Sequence, residues 1–235
     1  MQLFISPHYI KQENNITITD ARIVHQCLHV LRYKSNQLLQ LQDKWIRYTL
    51  CITTISKKEI ITEITNTEKA LWNASKTTLC IALPNRFDKA ELMVQKLTEI
   101  GINHISFWKS ERSILRDIPD KKLQRLQNIA IEASEQSFRR SIPTITYLDN
   151  LFETDILLSG QIILFHQDGE NISKIKSFKI QSSKSTISII GPEWWFTLTE
   201  IEKIKQKNTI VYSLWDTILR METAAILWAR LTQNL

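Results

Sequence analysis

The sequence predicts an α/β protein with two domains, a β-rich domain over residues 1–70 and a domain over residues 71–235 in which strands alternate with helices. In the first region, apolar and polar side chains alternate with the two-residue period of a half-buried antiparallel strand. From residue 77 onward, short apolar runs are separated by segments with helical spacing, which is typical of a parallel sheet. A chain of 235 residues is long enough to bury a core in each domain.

The first region is predicted to be a small antiparallel barrel or sheet that contains one short helix. A short strand begins at Phe4, and a helix follows where apolar residues recur at helical spacing. These residues are Ile23, Val24, Cys27, Leu28 and Leu31. Further strands are predicted over residues 38–41, 45–52 and 60–64. The polar stretch Thr65–Lys69 is predicted to be the linker to the second domain.

The second region is predicted to alternate between buried strands and amphipathic helices. Strands are expected over residues 79–83, 105–107, 162–165, 186–190 and 210–212. Helices are expected over residues 87–100, from Pro119 to about Phe138, over residues 198–206, and from Met221 onward. Gly101 is predicted to cap the first of these helices, and Thr197 and Glu200 form a Thr-x-x-Glu capping box for the third.

The charge of the chain permits an anionic partner such as nucleic acid but does not require one. The formal net charge is +6. Basic residues gather around the long middle helix, namely Arg112, Arg116, Lys121, Lys122, Arg125, Arg139 and Arg140. Guanidinium groups bind phosphate in a planar, two-pronged geometry, so these residues are suited to a nucleic-acid backbone. Charge runs on long helices are usually solvated faces, however, so a solvated helix face is the preferred explanation at this stage.

Several classes of protein are disfavoured by what the sequence lacks. Cys27, Cys51 and Cys80 are odd in number and far apart, which argues against a disulfide framework and a zinc cluster and fits a reducing compartment. The N-terminus does not resemble a signal peptide, and no apolar run approaches the roughly 18 residues of a membrane helix. We therefore expect a cytoplasmic protein that does not enter a membrane.

No common catalytic template is present, and no metal site is predicted. The chain contains no phosphate-binding loop with Gly-Lys-Ser/Thr, no Gly-x-Ser-x-Gly, no His-Glu-x-x-His and no Gly-x-Gly-x-x-Gly. His25 and His29 lie four residues apart on the predicted helix and could share a metal ion. No third ligand lies nearby in the sequence, so surface or partly buried imidazoles are the better explanation.

Two segments near the C-terminus are the most informative part of the chain. Ile189–Phe196 reads Ile-Ile-Gly-Pro-Glu-Trp-Trp-Phe, and Ser213–Ala224 reads Ser-Leu-Trp-Asp-Thr-Ile-Leu-Arg-Met-Glu-Thr-Ala. Each begins where a predicted strand ends and a helix follows, which is where open α/β sheets bind ligands. The chain has only four glycines, so Gly191 at a strand end indicates a positive φ or the close approach of another group.

Four stretches together resemble the 16S ribosomal RNA uridine-N3 methyltransferases, S-adenosylmethionine-dependent enzymes of the SPOUT class. The stretches are His29–Arg32, then Lys89–Gly101 with Ser110–Ser113, then Ile131–Ser137 with Arg139 and Pro143, and finally the two C-terminal segments. Their order and spacing cover almost the whole chain. Each motif is moderately specific, and the set is highly specific.

The resemblance implies a PUA-like β-barrel that helps to hold RNA, followed by an α/β domain with a deep trefoil knot. It also implies a homodimer that acts on 16S ribosomal RNA of the small subunit, with S-adenosylmethionine as cofactor and no metal. In the family, the loop after Ile190 and the loop from Leu214 to Arg220 enclose the cofactor. The cofactor positions carried over are Ile190, Gly191, Pro192, Glu193, Leu214, Ile218, Leu219, Glu222, Thr223 and Ala224.

The implied chemistry suggests roles for individual residues. Uracil N3 lies on the Watson–Crick edge, so the target base must be unpaired. Its proton must leave before or during attack on the methyl group, and a fixed cation would stabilise the negative charge on O2 and O4. Arg220 is the candidate cation, although a phosphate contact or an ion pair would also explain it, and Glu193 or Glu222 would orient it or receive the proton. Arg32, Arg112, Gln136, Arg139 and Arg140 are expected to face RNA.

The chain departs from the family pattern within the cofactor loops. Trp194 and Trp195 stand where the pattern Gly-Pro-Glu-Gly-Gly has its last two glycines, and Trp215, Thr217 and Met221 replace a Gly, an Arg and a Thr. An indole excludes the backbone freedom of glycine unless its ring turns away. One interpretation is an active enzyme with a remodelled pocket, and the other is a descendant that binds RNA but has lost the methyl donor. The retained Gly191-Pro192-Glu193 favours the active enzyme.

Overall fold

The computed structural model describes residues 1–43, 45–70, 77–172, 185–214 and 216–232. The chain divides into two compact units, Met1–Asn73 with Ser134–Ser141, and Ala74–Ala133 with Ile142–Leu235. The sequence predicts residues 134–141 within the second domain, whereas their contacts group them with the first unit. The division into functional domains at residue 70 stays a prediction. None of the helices in these described ranges is long and apolar enough to cross a membrane.

The first unit is built on a six-stranded mixed sheet. Its strands are β1 (Leu3–Ile5), β2 (Tyr9–Gln12), β3 (Asn15–Ile18), β4 (Leu38–Asp43), β5 (Ile46–Ile55) and β6 (Ile60–Lys69). They lie in the order β1-β4-β5-β6-β3-β2, with β1 parallel to β4 and the other neighbours antiparallel. Tyr9 on the edge strand β2 donates to Asp43 Oδ2 at 3.2 Å and packs edge-on against Tyr48. The sheet therefore curls in the manner of a barrel.

The predicted linker at Thr65–Lys69 is wrong, because these residues form the second half of β6. The ladder between β5 and β6 continues as far as the pair Ile46–Lys69. The side chains of residues 65–69 are exposed, so backbone hydrogen bonds rather than apolar burial hold this part of the strand. Polar composition alone therefore gave the wrong assignment.

The predicted helix of the first unit is present as α1 (Ala21–His25), which continues into a π-helical turn at Gln26–Val30. Asp20 caps the helix, since its carboxylate accepts hydrogen bonds from the N–H groups of Arg22 and Ile23. The hydroxyl of Ser6 donates to the same carboxylate at 2.6 Å. Burial would raise the pKa of Asp20, but these hydrogen bonds and the Arg22 charge outweigh it and lower the pKa.

The end of α3 (Asp120–Gln136) and the turn that follows it belong to the first unit. Glu135, with 3% of its side chain exposed, accepts two hydrogen bonds from the Arg22 guanidinium at 2.9 and 3.0 Å. A backbone N–H of β1 donates to the same carboxylate at 2.8 Å. Arg47, which is also buried, donates to the carbonyl oxygens of residues 138 and 139. Two charged side chains thus fix the turn to the first sheet.

The second unit contains a six-stranded sheet in which every neighbouring pair is parallel, as predicted. Its strands are β7 (Thr77–Ala82), β8 (His104–Trp108), β9 (Thr144–Leu148), β10 (Gln161–Asn171), β11 (Thr186–Ile190) and β12 (Thr209–Ser213). The order is β12-β10-β11-β7-β8-β9. The central strand β11 is buried at every residue, as expected for a sheet with both faces covered.

The helices of the second unit begin and end close to their predicted positions. They are α2 (Phe87–Ile100), α4 (Leu198–Lys205), α5 (Met221–Thr232) and most of α3. Gly101 caps α2 with a φ of 118°, and Thr197 and Glu200 form both hydrogen bonds of the capping box on α4. Helix α5 packs against the sheet through Trp228, whose indole N–H donates to Ser188 Oγ at 2.7 Å.

Candidate active site

A cavity of about 420 Å³ lies at the carboxyl ends of β11 and β12. This volume falls within the roughly 300–1,000 Å³ that is typical of small-molecule sites. The cavity is lined by Phe165, His166, Gln167, Ile190, Gly191, Pro192, Glu193, Trp195, Phe196, Ser213, Leu214, Asp216, Thr217, Ile218, Leu219, Arg220, Met221 and Ala224. Both C-terminal segments singled out in the sequence therefore form its walls.

A bulge in β10 supplies a third wall, which the sequence did not reveal. The ladder between β10 and β12 pairs Phe165 with Tyr212 and then Glu170 with the same tyrosine, so residues 166–169 leave the ladder. Such a bulge re-aims side chains. His166 and Gln167 line the cavity as a result.

Gly191 is required because an aromatic ring occupies the space where its side chain would be. A Cβ at this position would lie 2.6 Å from the Phe196 ring. Phe196 is buried and stacks on Trp108, with ring centroids 6.2 Å apart and planes 16° apart. Of the two reasons proposed from the sequence for this glycine, close approach is the one that the structure shows.

The two adjacent tryptophans of the loop after β11 occupy different environments. Trp194 is 62% exposed and does not line the cavity, whereas Trp195 is 36% exposed and does. Trp195 adopts a φ of 67°, in the left-handed region that glycine favours. The backbone conformation expected of a glycine is thus retained with an indole attached, and the cavity remains open. Trp215 lies outside the described residues.

Glu200 braces the loop after β8 against the loop after β11. Its buried carboxylate accepts from Ser110 Oγ and the Glu111 N–H, both at 2.9 Å, and from the Thr197 N–H at 2.8 Å. Arg112 adds a hydrogen bond from its guanidinium to the Trp194 carbonyl at 2.9 Å. The Ser110–Ser113 motif therefore has a structural role in shaping the cavity loop.

Lys89 at the start of α2 bridges the two carboxylates that were candidates for catalysis. Its ammonium lies 2.8 Å from Glu193 Oε1 and 3.9 Å from Glu222 Oε2. The Asn85 N–H also donates to Glu193 at 3.1 Å. Burial would raise the pKa of Glu193, but the hydrogen bonds from Lys89 and from backbone N–H groups outweigh it and lower the pKa. Glu193 is therefore ionised and a weak proton acceptor.

Arg220 lines the cavity and is exposed. In the described part of the chain, no side chain pairs with its guanidinium. The sequence suggested that Glu193 or Glu222 would orient Arg220, whereas the structure brings both carboxylates to Lys89 instead. Arg220 thus offers an unpaired positive charge at the cavity.

Comparison with known proteins decides the family. A family model described as an RNA methyltransferase domain matches residues 72–233. The chain belongs to the RNA methyltransferase family. It is 30% identical over 222 residues to the ribosomal RNA small subunit methyltransferase E of Mesomycoplasma hyopneumoniae, covering 92% of each chain. It is also 30% identical to the Rickettsia conorii protein of that name, covering 92% of this chain and 88% of the relative. The family predicted from the motifs is confirmed.

Solved structures of this family share the fold. A crystal structure of the ribosomal RNA small subunit methyltransferase E from Neisseria gonorrhoeae, bound to S-adenosyl methionine, has a TM-score of 0.82 at 25% identity. The match covers 100% of this chain and 97% of the other. The predicted fold class, a barrel-like β domain followed by a SPOUT-type α/β domain, is confirmed.

The structure gathers most of the predicted cofactor residues around the cavity. Those that line it are Ile190, Gly191, Pro192, Glu193, Leu214, Ile218, Leu219 and Ala224. Glu222 and Thr223 do not line the cavity, although their neighbours Met221 and Ala224 do. Lys89, His166 and Asp216 were missed as site residues, although Lys89 and Asp216 lay within quoted motifs. Whether these residues bind a cofactor stays a prediction.

The residues predicted to face RNA differ in exposure. Arg32, Arg112, Gln136 and Arg140 are exposed, and Arg32 adopts a φ of 52°. Arg139 is half-buried, and burial lowers the pKa of its guanidinium to about 10. It also donates to Ser141 Oγ at 3.4 Å. Arg139 is therefore engaged within the first unit to a greater extent than predicted.

The structure shows no group of three or more His, Cys, Asp or Glu side chains suited to a metal ion within the described ranges. His25 and His29 lie close together, with ring centroids 4.9 Å apart.

Proposed function

We propose that this protein transfers the methyl group of S-adenosylmethionine to N3 of a uridine in 16S ribosomal RNA of the small subunit. The observation that carries the proposal is the open cavity between the two C-terminal loops, which persists although Trp195 forms part of its wall. The loss of the methyl donor, which was the alternative interpretation, would be expected to leave this space filled by indole rings.

The residues around the cavity suit an adenosyl sulfonium. The strand ends at Ile190 and Leu214 and the side chains of Pro192 and Leu219 offer apolar walls, and Asp216 offers a negative charge to the positive sulfur. When bound, this cofactor supplies a methyl group that is already activated for transfer. The chain's own residues then have to position the base, accept the proton from its N3 and exclude water.

Arg220 is the proposed stabiliser of the charge that develops on the uracil oxygens. A guanidinium at the cavity, unpaired within the described residues, can donate to an oxygen that gains negative charge during the reaction. Glu193 is assigned a positioning role, because Lys89 holds it in the ionised state. Glu222 is the candidate proton acceptor carried over from the sequence: it adjoins Met221, which lines the cavity, and its buried Oε2 has no hydrogen-bond partner among the described residues.

The finer expectations of the family resemblance belong to the same proposal. They are a trefoil knot in the α/β domain, a homodimer as the working unit, a cytoplasmic location, and RNA contacts from Arg32, Arg112, Gln136 and Arg140. The exposure of these four side chains supports the last of them.

The test is methyl transfer to small ribosomal subunits that lack the modification. With labelled S-adenosylmethionine, nucleoside mass analysis is expected to find N3-methyluridine in the 16S RNA. Arg220→Ala is expected to reduce the rate about a hundredfold while cofactor binding is retained. Methylation at another atom or in another RNA would contradict the proposed target, and no transfer at all would contradict the proposed activity.

A further inference from the structure

The loop after β11 turns one indole toward the cavity by means of an uncommon backbone conformation. Trp195 has a φ of 67°, which bulky side chains rarely adopt. A hydrogen bond from the Trp195 N–H to the Pro192 carbonyl at 3.1 Å closes the turn. The preceding Trp194 is 62% exposed and remains outside the cavity.

His166 supports this indole from the bulge in β10. The two ring centroids are 6.2 Å apart with an interplanar angle of 72°, an edge-to-face arrangement. His166 is 11% exposed and lies with its Nδ1 3.3 Å from Asp168 Oδ2. Because the contact is edge-to-face and Trp195 is still 36% exposed, indole surface remains available to a ligand in the cavity.

The geometry points to Trp195 as the residue that stacks on the adenine ring of the bound cofactor, with His166 holding the indole in place. This inference rests on the proposed function, because it requires S-adenosylmethionine in the cavity. Stacking on an aromatic side chain is favourable for any base, since every base has a π-face. The flat adenine is the part of the cofactor whose shape matches an indole face, and the Asp216 carboxylate, which also lines the cavity, is available to the positive sulfonium.

Two matched variants separate this role from a general effect of losing a tryptophan. Trp195→Gly and Trp194→Gly make the same chemical change at adjacent positions, and glycine relieves the positive φ at 195, so folding is not endangered there. Calorimetry would use S-adenosylmethionine, S-adenosylhomocysteine and 5′-methylthioadenosine, which share adenosine but differ in charge. Trp195→Gly is expected to weaken all three by roughly tenfold. Trp194→Gly should change the three dissociation constants less than about twofold, and Trp195→Phe should retain most of the wild-type affinity.

Other outcomes would overturn the inference in distinguishable ways. A loss confined to S-adenosylmethionine would mean that the indole contacts the sulfonium cation instead of adenine. Unchanged affinity for all three ligands would mean that Trp195 only lines the cavity. Failure of the wild-type protein to bind any of them would refute the proposed function itself. Quenching of indole fluorescence by 5′-methylthioadenosine, lost in Trp195→Gly and kept in Trp194→Gly, is the independent readout.

Discussion

Glu135 in the first unit and Glu193 in the second are both held by a cation, but the two carboxylates differ in burial. The side chain of Glu135 is 3% exposed and accepts two hydrogen bonds from one guanidinium, whereas Glu193 is 20% exposed beside the ammonium of Lys89. The first pair anchors a turn to a sheet. The second connects a cavity loop to a helix.

This difference indicates that the two regions use charge for different purposes. In the first unit, an ion pair with a buried carboxylate fixes the turn after α3, and the exposed Arg140 follows on that turn. In the second unit, the carboxylate of the pair is partly exposed and belongs to a loop that lines the cavity. We therefore expect removal of Glu135 to reduce stability and removal of the Lys89 contacts to reduce ligand affinity.

The largest expected effect is that of Glu135→Ala. The substitution removes two hydrogen bonds of the Arg22 guanidinium and the acceptor of a β1 N–H, so we expect a loss of about 3 kcal/mol in the free energy of unfolding. The measurement is urea denaturation. Glu193→Ala is the matched control and should lose less than about 1 kcal/mol. Equal losses would remove the distinction between the two pairs.

Glu200→Ala tests whether the second unit also depends on a buried carboxylate. Three donors would lose their acceptor, which should lower the free energy of unfolding by about 2–3 kcal/mol. Ser110→Ala, which removes one of the donors, should lower it by about 1 kcal/mol. An unchanged free energy of unfolding in Glu200→Ala would show that the hydrogen bonds between the two loops contribute nothing to stability.

Lys89→Met is expected to affect ligand affinity more than stability. Without the ammonium, the Glu193 loop and the start of α5 lose their common partner, so the dissociation constant for S-adenosylmethionine should rise about tenfold. Calorimetry measures the affinity, and thermal melting serves to show that the fold is intact. Lys89→Arg keeps the charge and should recover most of the binding. A lower stability with unchanged affinity would mean that the Lys89 contacts stabilise the fold and do not contribute to ligand binding.

Arg139 and Arg140 form a matched pair for the RNA-facing turn. Arg140→Ala should remove about one phosphate contact and reduce the slope of log affinity against log salt by roughly 0.7–0.9. Arg139→Ala should leave the slope unchanged and lower stability instead, because Arg139 is half-buried. The measurement is RNA binding in a salt series. A reduced slope for Arg139→Ala together with an unchanged slope for Arg140→Ala would mean that Arg139, and not Arg140, contacts an RNA phosphate.

The smallest expected effect is the acid sensitivity conferred by Glu193. Its pKa is lowered, so the ionised form stabilises the fold above the ordinary glutamate pKa, and this contribution is lost as the pH falls through the lowered value. Glu193→Gln should therefore be less stable than wild type at about pH 7, and the difference in stability should be smaller at about pH 3. The measurement is urea denaturation of both proteins at the two pH values. A difference in the free energy of unfolding that grows as the pH falls would contradict a lowered pKa for Glu193.

Local signals were sufficient for much of the second unit. The start of α4 follows from Thr197 and Glu200, and the end of α2 follows from Gly101, because helix caps depend on residues close in sequence. The C-terminal loops were found by their position at strand ends. These features require no knowledge of distant contacts.

Features that depend on distant partners were not predictable. The second half of β6 is polar and is recognisable only by its pairing with β5, and the turn after α3 joins the first unit through Arg22 and Arg47. The positive φ of Trp195 contradicts its own local preference and is held by the surrounding loop. The pairing of Lys89 with Glu193 and Glu222 had no local signature, because these partners lie far along the chain.

The most direct measurement is a crystal structure determined with S-adenosylmethionine. We predict electron density for the adenosyl sulfonium between the loop from Gly191 to Phe196 and the loop from Leu214 to Arg220, with the Trp195 ring against the adenine. A cavity occupied by indole rings and without ligand density, at a cofactor concentration that saturates other members of the family, would contradict the account.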